Sequence, residues 1–382
     1  MKKTLIITRH YLDENNGGSN GSKAYIRALS ELYPDCTLIY PEHLDKTSEM
    51  FIPSHVKAIP CYDNRGRIQK GIDVYRGILH RMPKFVVNHL QNNIYDIVVI
   101  DHSIIANGII EVVMKSGCKV VTIHHNNESE YIRDNKPGIL YRWPFIHYSK
   151  KAERDALLKS DLNLTVTEKD ARSFRAWFND RDIHCHNMGT FQYQNMPSAI
   201  IDDGLRPCRV FAITGSLNFT QSQIPVIEFV EKYFPLLLRE IPQAKLIIAG
   251  RNPSKSIKEV CNKYSQITLI PDPDDISSVI SQADIYVCPL NTGSGVKLRV
   301  MDGLRLGIPI LGHTISLNGY ETIKKDGFFF DYYNEISFMN ALKAISSLNY
   351  NKQKVYDSFL AYFSFEAGKK RLETILKREK LI

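Results

Sequence analysis

Ten short apolar runs, each separated from the next by a helical or turn-rich stretch, constrain this chain more than any other feature of its sequence. They are TLIIT, TLIY, DIVVID, KVVTI and DLNLTV in the first half, then RVFAIT, AKLIIAG, ITLIP, DIYVCPL and PILG in the second. Unbroken runs of Val, Ile and Leu set between amphipathic helices are how parallel strands covered on both faces read. The class is therefore α/β. Between the halves, His186 to Arg206 loses its periodicity and gathers Gly, Pro, Asn and Asp, which marks an interdomain linker. Each half opens with its own strand, turn and helix. Two doubly wound, Rossmann-like domains whose strand carboxyl ends face each other across a cleft are the expected architecture.

The 382 residues are enough for two or three domains, and 43% hydrophobic content can build a core in each. A formal charge of +8 places a basic surface somewhere without arguing for nucleic acid. Seven scattered cysteines with no C-x-x-C fit reduced thiols in a cytosolic protein. The opening apolar run, Thr4 to Thr8, is cut off by Arg9 and His10, so it reads as a first strand and not as a signal peptide. No window approaches the ~18 apolar residues of a membrane span.

The densest stretch is NTGSGVKLRVMDGLRLGIPI, Asn291 to Ile310. Gly293 and Gly295 bare the backbone ahead of a helix expected to open with Lys297 and Arg299, where free N–H groups and cations can hold phosphate oxygens. Asp302 follows one turn later and can accept hydrogen bonds from sugar hydroxyls. The alternative is a Gly/Ser-capped amphipathic helix with an exposed row of Arg299, Asp302 and Arg305. Gly17 and Gly18 follow the first strand and precede a helix expected near Gly21; they either admit a ligand to the backbone or form an ordinary turn. KVVTI runs into HHNNESEY, which puts His124, His125, Asn126 and Glu128 near a strand carboxyl end, where α/β sites are built. Adjacent histidines in extended chain point to opposite sides, so a single polar or catalytic role fits better than metal ligation. His184 and His186 lack a partner set for a metal. Asn64 to Val86 interleaves Arg65, Arg67, Lys70, Arg76, Arg81 and Lys84 with Ile68, Ile72, Tyr75, Ile78, Leu79, Met82 and Phe85. It reads as a basic amphipathic helix, either laid on anionic lipid or packed on its own sheet.

Taken in order, "TGSLNFTQSQIPVIEFVEKYFPLLLREIPQAKLIIAGRNPS", "IPDPDD", "ADIYVCPL" and "GSGVKLRVMDGLRLGIPI" resemble the donor-domain blocks of the family 4 glycosyltransferases of GT-B fold. "HHNNESEY" and "KKAERDALLKSDLNLTVTEKDARSF" are similar to that family's acceptor domain. The resemblance implies an acceptor-side domain over 1–188, a linker over 189–206, a donor domain over 207–360 and a closing helix, 361–382, that crosses back to the first domain. It implies retaining transfer of a sugar from a UDP- or GDP-linked nucleotide diphosphate sugar, with no cofactor and no divalent metal. Thr292, Gly293, Ser294, Gly295 and Val296 would offer backbone N–H groups to the diphosphate, which Lys297 and Arg299 would neutralise as it leaves. Asp302 would hold ribose hydroxyls, and Gly17 and Gly18 would line the other side of the diphosphate. Gly215, Ser216, Arg251, Asn252 and Asp272 would lie near the nucleotide. His125 would face the transferred sugar, with Asn126 and Glu128 near donor sugar or acceptor.

Two departures stand out. The glutamates that commonly bracket the family's loop are here Ser294 and the shorter Asp302, and the block after the first donor-domain strand brings no cation. Lys297 and Arg299 would replace that charge. A nucleotide-sugar epimerase of the same architecture, or a non-catalytic binding subunit, remains an alternative. The acceptor expected is a glycan or lipid-linked glycan of bacterial surface polysaccharide, lipopolysaccharide or capsule, handled in the cytoplasm or peripherally at the inner membrane face through residues 64–86.

Overall fold

The computed structural model describes residues 2–14, 16–44, 48–80, 82–135, 139–178, 183–200, 204, 208–293 and 295–382, with the side chains of 129, 133–135 and 139–141 left out. Ser294, Arg81 and part of the 189–206 linker thus lie outside the described residues. The chain divides into two compact units: Met1–Asn195 with Ser364–Ile382, and Met196–Phe363.

The first unit holds strands β1 (Thr4–Thr8), β2 (Cys36–Pro41), β3 (Lys57–Cys61), β4 (Ile97–Asp101), β5 (Lys119–His124), β6 (Leu162–Thr165) and β7 (Cys185–Asn187). Among the described residues these form one seven-stranded sheet in the order β3-β2-β1-β4-β5-β6-β7, parallel throughout. The second unit holds β8 (Val210–Ser216), β9 (Lys245–Arg251), β10 (Ile267–Pro271), β11 (Ile285–Cys288), β12 (Ile310–His313) and β13 (Phe329–Tyr332). They form a six-stranded sheet, β10-β9-β8-β11-β12-β13, again parallel. In both orders the chain reverses direction across the sheet beside its first strand, which makes each a doubly wound α/β sheet.

Period-two alternation explains why the runs are apolar without interruption. Phe211, Ile213, Leu246 and Ile248 enter the larger core of the second unit, while Ala212, Ile247 and Ala249 enter a smaller one, so both faces of β8 and β9 are covered. In the first unit Leu5, Ile7, Val98 and Ile100 do the same against helices carrying Val86, Ile110 and Val113.

Helix α1 (Gly17–Leu32) begins earlier than the expected Gly21, because the Asn16 side chain accepts a hydrogen bond from Ser19 N and caps it there. The single basic helix expected over 64–86 is two helices, α2 (Arg67–Tyr75) and α3 (Met82–Gln91). Gly77, at φ +75°, turns the chain between them. The C-terminal helix Phe365–Arg378 belongs to the first unit. Arg371 Nε donates to the Met188 carbonyl at 3.0 Å, and Lys369 pairs with Glu31 of α1 at 2.7 Å.

Candidate functional site

In the second unit the polar residues gather at the carboxyl ends of β8, β9 and β10. Gly215 and Gly250 are register partners there, packed so closely that a Cβ on Gly250 would stand 1.7 Å from the Gly215 oxygen. Beside them Asn252 and Asp272 both adopt φ +48°, a conformation that Asn and Asp tolerate better than most residues. Asn252 N donates to Asp272 Oδ1 at 2.8 Å, and Leu217 N to the Arg251 carbonyl at 3.0 Å. Ser216, Arg251, Asn252 and Asp272 are exposed at this edge. The structure therefore brings together the residues expected at the nucleotide from three separate segments.

The glycine-rich loop follows β11. Its entry is tied by Asn291 Nδ2, which donates to Glu228 Oε2 at 2.7 Å, and Gly293 and Gly295 take φ of +85° and +70°. The helix was expected to open with Lys297, but it spans Arg299–Leu304, and the residue ahead of it, Leu298, offers no capping side chain. Lys297 stands in the loop instead, its Nζ donating back to the Gly293 carbonyl at 2.9 Å, and Tyr320 Oη fixes its own carbonyl at 3.1 Å. Thr292 is exposed and Val296 packs on the core.

Arg299 reaches under the end of β8. Its Nη1 donates to the Thr214 carbonyl and its Nη2 to Ser222 Oγ, both at 3.2 Å. A Cβ on Gly215 would meet Nη1 at 2.6 Å. The half-buried guanidinium thus makes no ion pair among the described residues, and its hydrogen-bond partners are neutral. Asp302 lies 3.4 Å from Arg305. Burial raises its carboxyl above the ordinary range, against the pull of Arg305 and Arg299.

The first unit carries a second cluster, at the ends of β1, β4 and β5. His125 Nε2 donates to Asp101 Oδ1 at 2.6 Å, and Ser22 Oγ, from α1, donates to Asp101 Oδ2 at 2.5 Å. Asp101 has no solvent exposure. Burial works to raise its carboxyl, yet the charge and hydrogen bond of His125, with His10 and Ser22, hold it well below the usual carboxylate range. The ring of His125 sits 5.1 Å from His10 and 5.5 Å from His102. Burial drives both neighbours well below the ordinary histidine range, so they stay neutral at pH 7. His102 takes φ +104°, outside the regions a residue with a Cβ prefers, and such outliers persist where their surroundings hold them.

Glu128 is buried beside His102, with Oε1 2.9 Å from Nε2 but off the line of a hydrogen bond, so that oxygen lacks a donor. Desolvation pushes its carboxyl up to about 7. Its backbone N–H is held by Glu153 at 2.8 Å. Asn126 is half-buried, with an Oδ1 that has no hydrogen-bond partner among the described residues. His124 turns the other way, donating to Asn163 Oδ1 at 3.0 Å, and burial lowers it to about 4. Gly18 is half-buried, and the His10 ring lies 2.3 Å from where a Cβ would be, so only glycine fits there. Gly17 is exposed. His184 and His186 both bond the Glu379 carboxylate at 2.8 Å.

Ser22, Asp101, His10 and His102 were not anticipated. The available signal was the Asp101-His102-Ser103 triplet at the carboxyl end of a strand, the same placement that singled out His125.

Residues 209–347 match the model of the family described as glycosyl transferases group 1. The whole chain is similar to the solved structures of the lipopolysaccharide outer core galactosyltransferase WaaB (TM-score 0.66, 11% identity, 98% of this chain and 99% of that one) and of TarM (0.65, 12%, 98% of each). This chain is a GT-B glycosyltransferase. The glycosyltransferase is also similar to Alr3699/HepE of Anabaena in complex with UDP and glucose (0.64, 10%, 98% and 100%). In sequence it is 24% identical over 400 residues to an uncharacterized 44.6 kDa protein in the cps region of Klebsiella pneumoniae, covering 94% of this chain and 99% of that one.

Proposed function

We propose that this glycosyltransferase moves a sugar from a UDP- or GDP-linked nucleotide diphosphate donor to a glycan or lipid-linked glycan with retention of configuration, in bacterial surface-polysaccharide synthesis. The observation that carries this reading is Arg299, a half-buried guanidinium hydrogen-bonded to neutral groups beside two backbone-bare glycines. A fixed cation with no carboxylate in contact is suited to a diphosphate. The sugar context draws on the relative in the cps region and the likeness to an outer core galactosyltransferase. The nucleotide draws on the likeness to a protein holding UDP and glucose.

Breaking the anomeric C–O bond leaves negative charge on the diphosphate and positive charge on the sugar ring. Lys297, Arg299 and the N–H groups around Gly293 to Val296 stabilise that diphosphate as it departs, a role that requires no divalent metal. Asp302, Arg251, Asn252 and Asp272 hold the nucleoside. His125, kept in one orientation by Asp101, contacts the transferred sugar, and Asn126 and Glu128 serve donor sugar or acceptor. The protein works in the cytoplasm at the inner membrane face, where α2 meets lipid: Ile68, Ile72 and Tyr75 are 83%, 44% and 53% exposed along one helix face. Among the described residues no helix is long and apolar enough to cross a membrane.

The test is a thermal-shift titration with UDP and GDP, repeated on Arg299→Ala and Lys297→Ala. A ligand of the native state raises the melting temperature by mass action. Arg299→Ala loses hydrogen bonds to neutral acceptors worth about 1 kcal/mol each, so the fold survives. Each variant loses the nucleotide shift, and turnover falls about a hundredfold, the ~3 kcal/mol typical of one transition-state donor. Unchanged shifts in both folded variants refute the site, and conversion of the nucleotide sugar without acceptor would make the protein an epimerase.

A further inference from the structure

A pocket of about 680 Å³ opens in the first unit between α2, α3 and the turn joining them. That volume falls within the ~300–1,000 Å³ of small-molecule sites. Its wall carries Ile78, Leu79 and Val87, and its charged lining is Arg65, Asp73, Arg76 and Lys84, with His80. These charges do not cancel. Arg65 is consumed by Asp63 at 2.8 Å and Asp73 at 2.9 Å, and Gln69 donates to the other Asp73 oxygen at 2.7 Å. His80 accepts from Met82 N at 3.1 Å and is pushed down to about 3, by burial first and then by Arg9 and Arg65, so it is neutral. Arg76 and Lys84 are exposed and make no ion pair among the described residues. The pocket therefore presents an apolar wall and two cations with no carboxylate in contact among the described residues, of which Arg76 is near enough to Asp73 to help Arg65 hold its carboxyl down.

The helix phase adds a second constraint. Gln69, Asp73 and Arg76 line the pocket at spacing i, i+4, i+7, while the exposed Ile68, Ile72 and Tyr75 occupy the adjoining stripe, about 100° round the same helix. An apolar tail leaving the pocket over that stripe would stay in apolar contact.

We infer that this pocket binds the phosphoryl end of a single-chain lipid phosphate, with Arg76 and Lys84 on the phosphate and Ile78, Leu79 and Val87 on the first segment of its tail. The inference deepens the proposed function by giving the lipid-linked acceptor an anchor site, and it rests on that reading. The occupant is one lipid molecule with a phosphate ester at its end, distinct from the bulk headgroups of a bilayer.

The probe is farnesyl diphosphate, titrated calorimetrically into the full chain, with farnesol, inorganic pyrophosphate and phosphatidylglycerol vesicles as comparison arms. Farnesyl diphosphate binds at least tenfold more tightly than farnesol or pyrophosphate, since each lacks one half of the recognition. Arg76→Glu and Lys84→Glu, both at exposed positions, each weaken it about tenfold or more. Val87→Phe, which fills the pocket, weakens it without touching a charge, and the tryptophan fluorescence of the first unit checks that fold. Equal binding of pyrophosphate, indifference to both charge reversals, or full displacement by the vesicles overturns the inference. A UDP shift with no farnesyl diphosphate binding overturns the pocket and leaves the donor reading standing. The opposite pattern sinks the donor reading and keeps the pocket.

Discussion

Glu128→Gln should stabilise the first unit at alkaline pH and do so much less in acid. Glu128 is buried, and desolvation lifts its carboxyl from the ordinary 4.5 to about 7. A carboxyl whose folded pKa is raised favours the folded state while protonated. Its contribution is fully present below the unfolded pKa, declines as pH rises from there towards the folded value, and is gone above it. At about 1.4 kcal/mol per pKa unit, the wild type has lost about 1 kcal/mol at pH 5 and about 3 kcal/mol at pH 8.5. Glutamine keeps the shape and cannot ionise, so the variant escapes that loss. Any cost of altering the contact with His102 is common to both pH values and cancels in the comparison. Both tryptophans, Trp143 and Trp177, lie in the first unit, so denaturant titrations followed by tryptophan fluorescence read that unit. The variant should gain about 2 kcal/mol on the wild type between pH 5 and pH 8.5. A difference between the two proteins that stays constant over that range would refute the assignment of Glu128 as a buried, proton-holding group.

Gly250→Ala should destabilise the second unit by about 3 kcal/mol, because its Cβ would stand 1.7 Å from the Gly215 oxygen and two strand ends must separate. Calorimetry of the variant measures that loss, and the UDP shift should fall with it, whereas a wild-type melting profile would contradict the packing. Ile68→Asp with Ile72→Asp should release the protein from anionic vesicles in a sedimentation assay while leaving the UDP shift unchanged; retained binding would remove α2 from the membrane reading.

All ten apolar runs are strands, and the three strands that sequence reasoning missed all sit at sheet edges. β3, β7 and β13 terminate their orders. An edge strand is covered less completely, so it does not need an unbroken apolar run. β3 carries Pro60 and an exposed first half, β7 is the three residues Cys185–Asn187, and β13 contains Asp331. Proline is tolerated where one side of a strand needs no partner. The break between α2 and α3 was hidden for a different reason: apolar spacing continues through Ile78 and Leu79 although α2 ends at Tyr75. Gly77 at positive φ and Pro83 in the first turn of α3 were local marks of it.

The same distinction between local and tertiary information separates the residues found from those missed. The loop from Asn291 to Asp302 is legible because its chemistry lies in consecutive residues. The cluster around His125 is assembled from positions 22, 101 and 125, which meet only once β4 and β5 pair and α1 lies over their carboxyl ends. Even inside the legible loop, one part was set by distant contacts. Lys297 and Arg299 are two residues apart, yet the first folds back on its own loop while the second crosses to Thr214 and Ser222 on another strand and helix. The two cations are therefore not interchangeable. Arg299 is a fixed charge whose position depends on β8, so a lysine there would lose the bond pair that aims it. Lys297 is held through its ammonium by the turn at Gly293 and through its carbonyl by Tyr320, so its charge is placed by contacts that do not involve β8.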